Sequence, residues 1–155
     1  MKGSLGPVFT AMTNRGDSVS TKPANGKAMV LYFWLTTKFD PPEFARSSAE
    51  HIDALNALYH KFSRQVDFIG FPVNNSADVR EYFKKHPLDF PQAVGGATAD
   101  KEAYITQNTT PLVIFINSKG RVVDIRPGSF KRKKLLIKEY TPIIQACLSN
   151  IENAE

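Results

Sequence analysis

Residues 28–34 read AMVLYFW, seven apolar side chains in succession. The run is of strand length, and it lacks the polar alternation of a strand with one wet face. It therefore predicts a strand buried on both faces, which needs packed cover above and below. That requirement points to a layered α/β domain built around a central sheet.

The flanking sequence supplies the other elements. PVFTAMTNRGDSVS (7–20) reads as two short strands about the turn NRGD. Residues 41–65 place Phe44, Ile52, Leu55, Leu58, Tyr59 and Phe62 at helical spacing. VDFIGFPV (66–73) reads as a second buried strand, SADVREYFKKH (76–86) as a short amphipathic helix, and DKEAYITQN (100–108) as a helical turn. PLVIFIN and GRVVDIR are strands joined by SKG, a hairpin signal. A last helix, from about 132 to 152, aligns Leu136, Ile143, Ile144, Cys147, Leu148 and Ile151 on one face.

This order, a hairpin and then β, α, β, α, β, β, α, predicts a parallel βαβ crossover followed by an antiparallel edge. The expected fold class is an α/β three-layer sandwich. It has a mixed central sheet, helices on both faces and an N-terminal β-hairpin, in a single domain over 1–155 with its core at about 5–148.

Composition limits the chemistry. A chain of 155 residues is long enough for one core without staples. Its single cysteine excludes an intramolecular disulfide and a Cys-x-x-Cys dithiol, and cysteine usage then says nothing of compartment. No run approaches the roughly 18 apolar residues of a membrane span. The start, MKGSLGPVFTAM, has no apolar core of signal-peptide length. Part of the net charge of +5 is concentrated in KRKKLLIK (131–138), where Lys131, Arg132, Lys133 and Lys134 form a basic patch. Such a block attracts phosphate or anionic lipid, and it is also the ordinary solvated face of a helix.

Directly after the apolar run stands TTKFDPPEF (36–44). On physical grounds it is a helix start. Asp40 is a favoured N-cap, and Pro41 at the first helical position lacks only an N–H that would be unpaired anyway. Glu43, three residues after the cap, completes a capping box in an Asp-led form. The positive end of the helix dipole favours both acids and holds their pKa values low, which argues against an acid–base pair.

Several of these stretches together resemble the thioredoxin-like superfamily, in its TlpA/ResA branch, which borders the peroxiredoxins of AhpC/TSA type. GKAMVLYFWLT is similar to that branch's strand leading into the active site. FPVNNSADVREYFKKHPLDFP resembles its inserted strand and helix, and YITQNTTPLVIFINSKGRVVDIRPG its stretch around a cis-proline. The resemblance covers about residues 5–148 and implies a cis Thr110–Pro111 bond beside a groove that accepts extended peptides.

The departure lies at the catalytic motif. The family's two cysteines would fall on Lys38 and Pro41 or, with two extra residues, on Asp40 and Glu43. In the second register DPPE stands where CPPC would be. Neither register holds a thiol, so disulfide exchange and peroxide reduction both lose their nucleophile.

The resulting expectation is a redox-inactive thioredoxin-like domain that binds a protein or peptide, or serves as a structural accessory. Its groove would be formed by Trp34, Thr37, Thr110 and Pro111, beside the degenerate positions Lys38, Asp40, Pro41, Pro42 and Glu43. The alternative is a thiol-disulfide oxidoreductase or peroxidase-related enzyme by descent that depends on a partner's cysteine. A weaker third is a nucleic-acid or anionic-lipid contact at the basic patch. No catalytic residue, cofactor or metal is expected. His51 and His60 lie nine apart on one helix, half a turn out of phase, and His86 stands alone. Cys147 falls on the apolar stripe of the last helix as a core residue. The resemblance implies an extracytoplasmic or organellar location if a presequence has been removed.

Overall fold

The apolar run becomes an inner strand of a four-stranded sheet. A computed structural model describes residues 3–5, 10–13, 15–21, 26–34, 42–72, 80–82, 84–95, 112–128 and 131–149. Its elements are β1 (Thr10–Thr13), β2 (Ser18–Ser20), β3 (Ala28–Trp34), α1 (Pro42–Phe62), β4 (Val66–Pro72), β5 (Ala93–Gly95), β6 (Leu112–Ile116), β7 (Val122–Pro127) and α2 (Lys133–Leu148).

The main sheet has the order β4-β3-β6-β7, and a smaller one the order β2-β1-β5. β3 pairs with β4 in parallel, from Ala28↔Val66 to Trp34↔Pro72, as the βαβ expectation requires. It pairs antiparallel with β6, from Met29↔Ile116 to Phe33↔Leu112, and β7 closes the antiparallel edge. All seven residues of β3 are buried.

The strand period of two sorts its side chains between two cores. Ala28, Val30, Tyr32 and Trp34 pack with Ile52, Leu55, Leu58 and Phe62 of α1 and with Leu136, Tyr140, Ile144 and Cys147 of α2. Met29, Leu31 and Phe33 pack on the opposite face with Ile69, Phe71, Ile114 and Ala93, and with Val19 of the small sheet. Among the described residues, both long helices thus cover the same face. The helical turn expected at 100–108 lies outside the described residues.

Short-range chemistry sets the turns. The NRGD turn carries Gly16 at φ 87°, where a side chain would be strained. Thr13 closes that turn, its backbone N–H donating to Asp17 O at 2.8 Å and its hydroxyl to the Asp17 carboxylate. At the SKG hairpin, Asn117 Oδ1 accepts from the N–H groups of Lys119 (2.9 Å) and Arg121 (3.0 Å), an Asx-type closure.

Two expectations are corrected. The last helix ends at Leu148, short of 152, because Ser149 is already extended at φ −73°, ψ 144°. The segment 91–95, for which the sequence suggested no strand, adds β5 to the small sheet and bridges Gly70 through Gln92. No described helix is long and apolar enough to cross a membrane.

Candidate functional site

Phe33 lies opposite Leu112 in the β3–β6 pairing, and Leu112 lies opposite Pro127 in β7. The chain therefore leaves β3, enters β6 and leaves β7 at one end of the sheet. Among the described residues, Trp34 ends β3, Leu112 opens β6 and Pro127 ends β7 there. Thr37, Lys38, Asp40, Pro41, Thr110 and Pro111 themselves lie outside the described residues, as do the side chains of Pro42 and Glu43. The described part of α1 begins at Pro42, and the first helical position expected from the sequence, Pro41, lies outside the described residues.

Trp34, read from the sequence as bordering a groove, is 2% exposed and packs in the core beneath the sheet end. Its position on the even face of β3 turns the ring toward the helices. A buried indole needs an acceptor, and Nε1–H donates to Gln92 Oε1 at 2.9 Å. Gln92 in turn donates from Nε2 to Phe90 O at 3.1 Å. Room for this amide comes from Gly70, where a Cβ would stand 2.0 Å from Gln92 Oε1.

From Trp34 a column of polar aromatics runs inward. Trp34 contacts Tyr82 (5.6 Å between centroids) and stacks on Tyr32 (6.3 Å). Tyr32 meets His51 edge-on at 5.1 Å, and His51 Nε2 shares a 2.9 Å hydrogen bond with Tyr140 Oη. His51 Nδ1 is buried without a hydrogen-bond partner. Burial lowers the His51 pKa to about 4, so the ring is neutral at neutral pH. Burial also raises the Tyr32 phenol, reinforced by Tyr82 and Tyr140. The Tyr140 phenol is raised by burial and then by Glu139. Tyr32, His51 and Tyr140 are thus uncharged at neutral pH and pack together beneath the sheet.

His60 and Cys147 take separate places in the fold. His60 pairs with Asp89 (2.6 Å) on the surface, away from buried His51. No group of three or more metal-ligating side chains occurs among the described residues. Cys147 is 2% exposed, in no disulfide, and packed in the core shared by α1 and α2.

At the basic patch, Arg132, Lys133 and Lys134 are exposed, whereas Lys131 bonds Glu139 at 2.5 Å. Arg132, the N-cap of α2, makes no side-chain cap bond. Glu50 of α1 caps the helix instead, its Oε1 accepting the Lys133 N–H at 2.8 Å. Sequence reasoning missed His51, Tyr140, Gln92 and Glu50. His51 carried a signal, standing four and seven residues before Leu55 and Leu58, in phase with the apolar stripe.

A mixed sheet backed by two helices, with a βαβ start and a ββα close, defines a thioredoxin-like α/β protein. The chain belongs to the Redoxin family, whose model matches residues 1–140. It is 24% identical over 144 residues to thiol-disulfide oxidoreductase ResA of Bacillus cereus, covering 90% of this chain and 79% of that protein. It is 24% identical over 140 residues to the thioredoxin-like protein YneN of Bacillus subtilis, covering 86% and 76%. Among solved structures it is similar to a Chlorobium tepidum protein assigned as the thiol:disulfide interchange protein DsbE. That match has a TM-score of 0.76 at 17% identity and covers 96% and 99% of the two chains. These relatives place the chain in the TlpA/ResA-like branch of a thiol-disulfide oxidoreductase-like family, without that family's Cys-x-x-Cys.

Proposed function

We propose that the chain is a redox-inactive thioredoxin-like module that binds another protein or peptide at the end of the sheet where β3 leaves and β6 enters. One observation carries the reading: residues 36–43 contain no cysteine, and the sole thiol, Cys147, is buried at 2% exposure in α2. A thiolate nucleophile has to be reachable by its disulfide, and this one is enclosed by core side chains. The groove in this reading combines Thr37, Thr110 and Pro111 with the degenerate positions Lys38, Asp40, Pro41, Pro42 and Glu43, over the rigid base formed by Trp34.

The test is insulin-disulfide reduction by the purified chain with dithiothreitol as electron source, beside a dithiol thioredoxin. No turnover above the buffer blank is expected. Reduction that persists in Cys147→Ala would contradict a redox-inactive chain outright.

A second reading keeps oxidoreductase-like chemistry by borrowing a partner's cysteine, and the relatives named thiol-disulfide oxidoreductases favour it. It requires insulin reduction that appears only when a second, thiol-bearing protein is added. A contact of the basic patch with nucleic acid or anionic lipid would show itself as binding that falls steeply with salt.

A further inference from the structure

Among the described residues, β7 is the outer strand of the main sheet. An outer strand offers its backbone groups to any further strand, and the pairing shows which groups those are. Ala28 N–H donates to Gln65 O at 3.3 Å, so the even-numbered backbone groups of β3 face β4 and the odd-numbered ones face β6. Opposite Met29, Leu31 and Phe33 stand Ile116, Ile114 and Leu112, whose backbone groups therefore point back at β3. Their partners in β7 are Val122, Ile125 and Pro127, which face outward. The register shift between Phe115 and Ile116 absorbs Val123 as an extra residue, so the outward positions skip from 122 to 125.

None of these three positions offers an N–H to a further strand, each for a different reason. Val122 N–H donates to Ser4 O at 2.9 Å, and Val122 O accepts the Gly3 N–H at 2.7 Å. Pro127 has no N–H. Ile125 N–H donates at 2.8 Å to Asp124 Oδ1, the carboxylate of its own neighbour. Arg126 Nε donates to the other oxygen of that carboxylate at 2.9 Å. Asp124 is 8% exposed, and a carboxylate with so little water around it has to keep its donors. It is thereby held across the edge at the one outward position that has an N–H and no backbone acceptor.

We infer that Asp124 closes the β7 edge against a second copy of this chain, and so stops the sheet from continuing across a two-fold axis. Ile125 is where such a pair would form. Two antiparallel β7 strands meeting there would exchange two N–H···O bonds, Ile125 to Ile125, with no donor from Val122 or Pro127. In that register residues 124 and 126, opposite in charge, would lie across from each other, which makes the edge its own complement. The inference is independent of what the end of the sheet binds.

The test applies sedimentation equilibrium and amide NMR to the full chain and to Asp124→Val, Asp124→Asn and Asp124→Ala. Wild type and Asp124→Asn should stay monomeric up to millimolar concentration, because the asparagine Oδ1 still accepts the Ile125 N–H. Asp124→Val removes the acceptor, and in dilute solution its Ile125 amide should exchange about tenfold faster than in wild type. When concentrated, this variant should dimerise, with amide shifts centred on Ile125. Asp124→Ala carries the same expectation where the valine variant does not fold. An Ile125 amide that exchanges freely in wild type, or wild-type association that shifts the β7 amides, would overturn the inference. So would association of Asp124→Asn equal to that of the valine variant. Valine and alanine variants that stay monomeric, or that associate without moving the Ile125 amide, would overturn it as well.

Discussion

Trp34 and Gln92, 58 residues apart in sequence, are joined by a 2.9 Å hydrogen bond from the indole N–H to the amide oxygen, inside the core. The bond ties the end of the central strand to the segment that leads into β5. Gly70 makes it sterically feasible.

Gly70→Ala should therefore be costly for so small a change. The added methyl would meet Gln92 at 2.0 Å, and overpacking of this kind costs roughly 1–3 kcal/mol. Because Trp34 is the single tryptophan, urea unfolding followed by its emission reads both stability and the local environment. A midpoint equal to wild type would refute the steric argument. Gln92→Leu should also cost about 1–3 kcal/mol by orphaning the indole donor.

Buried His51 predicts an acid-sensitive fold. Its folded pKa of about 4 lies below the ordinary 6.5. Between those values the unfolded chain binds a proton that the native chain does not. Stability is thus complete above about pH 6.5, falls with acidification, and levels off below about pH 4, a total of roughly 3 kcal/mol. Urea midpoints measured across that window check the slope. His51→Phe should remove this part of it whatever its effect on stability at neutral pH.

The DPPE stretch separates capping from contact. Asp40→Ala should destabilise the fold by about 1 kcal/mol if the carboxylate caps α1, and Asp40→Asn by much less, because asparagine also caps. An Asn variant with native stability but weakened partner binding would identify Asp40 as an anionic contact. The double variant Asp40→Cys, Glu43→Cys tests the register. After oxidation, a thiol count in denaturant should find Cys147 alone. Three free thiols would favour the register in which Lys38 takes the lost cysteine's place.

Glu50 offers a cap supplied from another helix. Glu50→Ala should lower stability by roughly 0.5–1 kcal/mol, and Glu50→Gln by less, since the amide oxygen still accepts the Lys133 N–H. Chemical denaturation in low and high salt should show the Glu–Gln difference shrinking as salt screens the charge.

What can be read from sequence follows the strength of local pattern. The continuous run of β3, the apolar stripe of α1 and the Asn117 turn all announce themselves within a few residues. β5 does not, because Ala93–Gly95 is three residues long and too short for any alternation. The apolar spacing runs past the end of α2 because Ile151 continues it, whereas the backbone turns extended at Ser149. The place of Trp34 at the strand's end suggests a groove residue. Its partner Gln92 lies far off in sequence, and nothing near either residue foretells a bond between them. The helix-start reading of Asp40 and the role given to Thr110–Pro111 concern residues outside those described, and they stand here as proposals.

Burial of Cys147 turns the chain into its own clock for opening. A thiol reagent cannot reach a sulfur enclosed by α1 and α2, so modification has to wait for a fluctuation that exposes it. At low reagent concentration the modification rate measures the population of the open form, and at high concentration the rate of opening itself. Because the sequence holds one cysteine, the signal comes from one place, near the C-terminal end of α2, without any introduced label. Its temperature dependence would tell whether that helix end frays alone or yields only with the whole domain.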